Sequence, residues 1–182
     1  MKLFLAIDIP NQVKKQISEQ IEPLKKDNPF FSWLPEHNYL LNVYTLGDVE
    51  KVKLEPVKQR ISDLLYASEG FHMFSLAVEM TISQKITIYM SFKRQKKLEL
   101  IESIIASELH AKQNYKYVPQ LTIARWKIPS KQQYFHLQNK LENMIVNIEF
   151  PVPYISLYQN IDQPDAPVYD KITEFPLLQG KH

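Results

Sequence analysis

The chain has 182 residues, an apolar fraction of 45% and a formal net charge of +2. That length suits one ordinary domain, or two small lobes that share a core, and the apolar content is typical of globular rather than disordered proteins. The sequence contains no cysteine, which excludes disulfides and thiolate chemistry, and so small a net charge does not by itself indicate nucleic-acid binding.

The amino-terminal segment predicts a buried strand over residues 2 to 8, followed by an amphipathic helix that Pro10 opens. The apolar run of the strand is interrupted by Asp8 and is too short for a signal sequence or a membrane span. We therefore expect a cytoplasmic protein without a membrane partner. The apolar stripe of the helix consists of Val13, Ile17, Ile21 and Leu24.

The rest of the chain alternates between strand and helix patterns. Strands are predicted at 39 to 46, 71 to 79, 85 to 92, 118 to 126, 148 to 158 and, at an edge, 167 to 175; helices are predicted near 50 to 66, 95 to 110 and 131 to 146. The strands at 71 to 79 and 85 to 92 require antiparallel pairing. The pattern thus predicts an α+β fold rather than a doubly wound parallel sheet, and we find no linker that would divide residues 1 to 182 into separate domains.

Two of the predicted strands place polar side chains on one face, toward a possible cleft. Strict alternation puts Leu40, Asn42 and Tyr44 on one face of the earlier strand. In the later strand, it puts Gln120, Thr122 and Ala124 on one face. The same alternation turns Arg125 away from the cleft, unless the strand bends or ends there.

Short motifs occur in a characteristic order along nearly the whole chain. They are 3 to 7 with Pro10, 33 to 36, 46 to 49, 119 to 125, 150 to 152, 155 to 158, Tyr169, and 175 to 177. In this order and spacing they resemble the 2H phosphoesterase superfamily, specifically the bacterial 2′-5′ RNA ligase-like proteins, also called RNA 2′,3′-cyclic phosphodiesterases. The resemblance implies two similar lobes around a central cleft, each an antiparallel sheet with outer helices. It also implies one His-x-Thr motif in each lobe and no requirement for a metal or cofactor.

In typical members one histidine deprotonates the attacking group while the other protonates the leaving oxygen. This sequence departs from that pattern. The first motif falls on Leu40 and Asn42, and the second on Gln120 and Thr122, so both histidines are replaced and only one threonine remains. Leucine cannot transfer a proton, and a glutamine amide does not titrate near neutral pH. We therefore assign no catalytic residue and expect the two-histidine reaction to be lost.

Two other residues are candidates for an acid or base role. The segment from Pro35 to Gly47 is one residue longer than is usual for the family, which leaves Tyr39 as an alternative to Leu40 at the histidine position. Tyrosine, with an unperturbed pKa of about 10, would be a poor base. His37 lies close to the strand but outside the motif spacing. The remaining histidines form no ligand pair in sequence, so we do not expect a metal site; they are His72, His110, His136 and His182.

The basic run from Lys93 to Lys97 has two interpretations, a solvated helix start or a phosphate-binding patch. We favour the helix start, because the run contains no interleaved aromatic residue. Glycine is scarce, with three in the chain, and no phosphate-cradling glycine loop can be written.

Three functions remain open from the sequence. The first, which we favour, is a pseudoenzyme whose cleft binds the phosphate of an RNA end or a nucleotide through Asn42, Tyr44, Gln120, Thr122 and Arg125; an ordinary wet groove is the alternative for these residues. The second is an active phosphodiesterase or RNA ligase with substituted catalytic groups, which requires a titratable group facing Gln120. The third is a non-enzymatic interaction protein on an inherited fold, with its cleft filled by Leu40, Tyr39, Tyr44, Tyr115 and Tyr117.

Overall fold

A computed structural model describes residues 1–109, 117–163 and 167–179. The helices of this part are α1 (Asn11–Asp27), α2 (Leu54–Leu65), α3 (Lys96–Leu109) and α4 (Lys131–Glu142). The strands are β1 (Lys2–Asp8), β2 (Ser32–Trp33), β3 (Leu40–Asp48), β4 (Phe71–Ile82), β5 (Ile86–Phe92), β6 (Gln120–Trp126), β7 (Glu149–Val152), β8 (Tyr154–Ile161) and β9 (Val168–Pro176). The predicted α+β class is confirmed.

The strands form two antiparallel sheets, one in each lobe. The first sheet has the order β3-β1-β8-β9 and the second the order β2-β6-β5-β4-β7. β3 and β6 contact each other where the two sheets meet. The buried apolar side chains form one continuous cluster that includes residues of both sheets. The cleft described below therefore rests on a core common to both lobes.

Helix patterns in the sequence correspond to buried helix faces. The predicted stripe of α1 is buried at all four of its positions. Helix α4 begins with a capping box: Ser130 Oγ accepts from the backbone N–H of Gln133, and Gln133 Oε1 accepts from the backbone N–H of Ser130. This reciprocal pair satisfies two donors that a helix start otherwise leaves without partners.

The predicted strand at 148 to 158 is wrong as a single element, because β7 ends at Val152 and β8 begins at Tyr154. Pro153, which has no backbone N–H, separates them. β7 pairs with β4 in the second sheet, whereas β8 pairs with β1 in the first. The chain thus passes from one lobe to the other at Pro153.

Several boundaries also differ from the predictions. β4 continues through Ile82 into the predicted loop, and α4 ends at Glu142 instead of near residue 146. The short strand β2 was not predicted, since two residues show no periodicity. The predicted end of the third helix, at His110, lies outside the described residues. No helix in the described ranges is long and apolar enough to cross a membrane.

Candidate functional site

A β-bulge in β3 determines which of its side chains face the gap between the lobes. The pairing of β3 with β1 skips Val43, which shifts the alternation of the following residues by one. Tyr44 consequently turns into the core, where it is 1% exposed, and Thr45 takes its place on the open face. The expectation that Tyr44 shares a face with Asn42 is wrong for this reason.

A second bulge lies at the corresponding position of β6. The pairing of β6 with β5 skips Ile123, and Arg125 therefore lies on the same face as Gln120 and Thr122. Strict alternation predicted the opposite orientation for Arg125, and that prediction is wrong. The bend that would bring Arg125 into the cleft is present.

The two bulged strands present side chains at the same spacing. Leu40, Asn42 and Thr45 from β3 and Gln120, Thr122 and Arg125 from β6 line one cleft with a volume of about 470 Å³. The structure thus brings together the predicted site residues of both motifs, with Tyr44 as the exception.

Three further cleft residues, on the same sheet as β3, were missed by the sequence reasoning. They are Phe4 of β1, Asn160 of β8 and Tyr169 of β9. The rings of Phe4 and Tyr169 lie edge to face, with centroids 5.2 Å apart. Alternation in β1 was a usable signal for Phe4. Tyr169 appears in the sequence analysis only among the motifs that carry the family resemblance, and no local pattern predicts a cleft position for Asn160.

Arg125 contributes a positive charge to the lining of the cleft. No carboxylate in the described ranges forms an ion pair with Arg125, whereas Lys2 at the cleft rim is paired with Asp162. Burial raises the pKa of Tyr169, and the nearby Arg125 guanidinium partly opposes that shift. Arg125 of the second sheet and Tyr169 of the first line the same cleft.

The cleft contains no imidazole among its described lining residues. His37, His72 and His136 lie elsewhere, and His110 and His182 lie outside the described residues. Tyr39 is 3% exposed and packs in the core, whereas Leu40 lines the cleft. Asp48 lines the cleft but is eight residues along β3 from Leu40, roughly 25 Å at the rise of a strand.

Asp8 is the carboxylate paired with Leu40 in the sheet. The hydroxyls of Ser156 and Tyr158 donate to its two oxygens, and Lys171 Nζ lies 3.0 Å from Oδ2. Burial, together with the bond to Asp8, raises the pKa of Tyr158 and keeps that hydroxyl a donor. Asp8 lines a separate pocket, and its occupied oxygens tie β1 to β8 and β9 instead of serving as a base in the cleft.

The described tyrosines that were expected to fill the cleft instead lie in the core or bond to the backbone. Tyr39 and Tyr44 are buried in the core, and Tyr115 lies outside the described residues. Tyr117 donates its hydroxyl to the backbone carbonyl of Asn42 at 3.0 Å, and burial raises its pKa so that it stays protonated. This bond links β3 to the segment before β6 and leaves the cleft open.

Two of the four basic residues in the run at the start of α3 form ion pairs. Arg94 Nε lies 2.6 Å from Glu99, and Lys97 Nζ lies 2.7 Å from Glu69. These contacts support the interpretation as a solvated helix start. In the described part of the chain, no group of three or more His, Cys, Asp or Glu side chains is arranged to hold a metal ion.

Comparison with known proteins identifies the fold and its relatives. The structure matches TT0787 of Thermus thermophilus with a TM-score of 0.74 at 20% identity, covering 97% of this chain and 98% of that one. It matches LigT of E. coli, solved with 3′-AMP, with a TM-score of 0.73 at 18% identity, covering 98% of both chains. The fold is that of the LigT-like 2H phosphoesterases, as predicted.

Two relatives found by sequence comparison carry the same name. RNA 2′,3′-cyclic phosphodiesterase of Thermotoga maritima is 28% identical over 188 residues, covering 96% of this chain and 94% of the relative. The protein of that name from Methanocaldococcus jannaschii is 28% identical over 178 residues, covering 96% and 100%. No protein-family model matches the chain. The predicted resemblance to the 2′-5′ RNA ligase-like, RNA 2′,3′-cyclic phosphodiesterase family is confirmed.

Proposed function

We propose that this protein binds the phosphate of an RNA end or a nucleotide in its cleft and does not hydrolyse it by the two-histidine reaction. The observation that carries this proposal is Arg125, which faces the cleft without a carboxylate partner in the described ranges. A guanidinium in such a position attracts an anion and matches the geometry of phosphate oxygens with two parallel N–H donors.

Neutral donors surround Arg125 and suit the remaining phosphate oxygens. Thr122 and Gln120 lie beside it on β6, and Asn42 and Thr45 line the cleft from β3. Asn42 Nδ2 donates to Thr45 Oγ1 at 3.1 Å, which leaves the hydroxyl hydrogen of Thr45 available for a ligand. These groups bind a phosphate but do not exchange protons with it near neutral pH.

Relatives support a phosphate-bearing ligand. LigT of E. coli was solved in complex with 3′-AMP, with phosphate and with ATP, and the sequence relatives carry the name RNA 2′,3′-cyclic phosphodiesterase. Leu40 and Gln120 replace the proton-transfer groups of the family motif, so a ligand that binds here stays intact. We expect the protein to meet such RNA ends in the cytoplasm.

Calorimetric titration tests this proposal with adenosine 2′,3′-cyclic phosphate and with inorganic phosphate. We expect both ligands to bind. Chromatography of the mixture should show that the cyclic phosphate has not been hydrolysed. Arg125→Gln should weaken binding about ten- to hundredfold, since it removes a charged donor. Arg125→Lys should recover part of the affinity, because it keeps the charge without the two parallel donors.

Arg94→Gln is the matched control, because Arg94 is an exposed guanidinium outside the cleft and is already paired with Glu99. The affinity of the Arg94→Gln variant for both ligands should equal that of the wild type. Unchanged binding in Arg125→Gln would refute the phosphate site. Hydrolysis by the wild type above the rate of a heat-inactivated sample would refute the loss of catalysis.

A further inference from the structure

We propose that a second binding surface adjoins the cleft, and that the single-stranded RNA chain leading away from the bound end lies on it. This surface, the basic rim, lies between the end of β6 and the start of α4 and consists of Phe30, Trp126, Lys127 and Lys131. The inference rests on the proposed function, because it takes the phosphate in the cleft to be the end of a longer chain.

The basic rim lies in a stretch of sequence without acidic residues. Residues 109 to 141 contain no aspartate or glutamate but six of the 22 lysines and arginines. In the described ranges no carboxylate forms an ion pair with Lys127 or Lys131, and Asp27 at the end of α1 is already paired with Lys140. The rim therefore keeps a positive charge that complements a polyanion.

Aromatic side chains alternate with these cations. Phe30 is 53% exposed, and its ring centroid lies 4.5 Å from that of Trp126. Phe31, which belongs to the core, packs against the same indole with centroids 5.0 Å apart. Lys127 Nζ lies 5.4 Å from the centroid of the Trp126 ring. An exposed ring supported by the core offers a face on which a base stacks, and the neighbouring ammonium is free to contact the backbone phosphate.

The pairing of β2 with β6 connects the basic rim to the phosphate site. Ser32 pairs with Arg125, and Arg125 lines the cleft. Phe30 precedes Ser32 by two residues, and Lys127 follows Arg125 by two residues, which is roughly 7 Å at the rise of a strand. A chain whose terminal phosphate is held at Arg125 therefore reaches the rim with its next nucleotides.

The combination of rings and cations favours single-stranded nucleic acid over other polyanions. An acidic peptide would neutralise Lys127 and Lys131 but would leave the exposed Phe30 ring without a planar partner. Every base of a single strand has a face that stacks on such a ring, irrespective of its identity. In a duplex these faces are already stacked on one another, so the rim should not favour double-stranded RNA.

Calorimetry tests the inference by comparing a short single-stranded RNA that ends in a 3′-phosphate with a nucleoside 3′-phosphate. We expect the RNA to bind at least about tenfold more tightly, because it stacks a further base on the protein. Phe30→Ala should remove most of this advantage and leave the affinity for the nucleoside 3′-phosphate unchanged. Tyr66→Ala is the matched control, since Tyr66 is 80% exposed at the end of α2, and it should change neither affinity.

The salt dependence of RNA binding measures the contribution of the lysines. For a single strand, each phosphate contact adds about 0.7 to the slope of log affinity against log salt concentration. Lys127→Gln should therefore lower that slope by about 0.7. Lys51→Gln should leave it unchanged, because Lys51 is an exposed lysine of the segment before α2 and does not line the cleft.

Equal affinities for the RNA and the nucleoside 3′-phosphate, both weakened by Arg125→Gln, would overturn the basic rim while phosphate binding stands. An RNA advantage that survives both Phe30→Ala and Lys127→Gln would have the same meaning. A polyglutamate peptide that binds as tightly as the RNA would overturn nucleic acid as the partner. RNA that binds equally well with a 3′-hydroxyl end, and that Arg125→Gln does not weaken, would overturn the proposed function and this inference with it.

Discussion

Leu40→His combined with Gln120→His is expected to create hydrolysis of RNA 2′,3′-cyclic phosphates, at a rate about 10²-fold to 10⁴-fold above the wild type. The two positions lie on facing strands at equivalent places in the two bulged motifs, and both line the cleft that contains Arg125. Imidazoles there would supply the base and the acid, and the phosphate-binding groups are already in place.

The pH dependence gives a sharper test of this double variant than the rate alone. One imidazole must be neutral and the other protonated, so the rate should pass through a maximum not far from the ordinary histidine pKa of about 6.5. Asp8 pairs with position 40 in the sheet. Because Lys171 Nζ lies 3.0 Å from its carboxylate, Asp8 should shift the pKa of an imidazole introduced there only slightly.

The single variants provide the control for cooperation between the two groups. Each should gain far less than the double variant, because one side chain cannot serve both ends of the displacement. Adding Arg125→Gln should remove most of the gain, since the phosphate would no longer be held. A double variant that binds phosphate but remains inactive would show that positions 40 and 120 do not flank the reacting bond.

The parts of this site that could be predicted are those that depend on local spacing. Leu40, Asn42, Gln120 and Thr122 were placed by motif position, and the cleft contains them. Predicting side-chain orientation from alternation failed just beyond both motifs, because a bulge inserts one residue in each strand. No residue type in the sequence indicates these bulges. The orientations predicted for Tyr44 and Arg125 were therefore the reverse of those in the structure.

The parts that could not be predicted depend on pairing between distant segments. Asn160 faces the cleft because β8 lies between β1 and β9, and this arrangement is a property of the sheet order. The division of the chain at Pro153 between two sheets was missed because the apolar pattern continues on both sides of the proline. Local periodicity identifies strands but does not assign them to sheets.

Phe150→Ala is expected to destabilise both lobes together, by about 3–5 kcal/mol. Phe150 is 1% exposed and meets Phe92 edge to face, with centroids 6.1 Å apart. It belongs to the continuous core cluster and lies three residues before Pro153, where the chain passes to the other sheet. The cavity left by the ring should therefore lower the stability of the whole chain and not of one sheet alone.

Urea unfolding followed by two probes measures this effect. Trp33 and Trp126 lie in β2 and β6 of the second sheet, so tryptophan fluorescence reports on that lobe, while far-UV circular dichroism reports on both. If residues 1 to 182 form a single domain, the two transitions should coincide in wild type and variant. Phe135→Ala, which removes a ring that is 54% exposed, should change stability by less than about 0.5 kcal/mol.

Separate transitions, with only the fluorescence signal shifted by Phe150→Ala, would contradict a single cooperative domain. The consequence would reach the cleft, because Leu40 belongs to the first sheet and Gln120 to the second. Groups on two lobes that unfold independently are not held at a fixed separation by a common core. Coincident transitions would instead show that the core sets the distance between the two motif strands, which both phosphate binding and the two-histidine variant require.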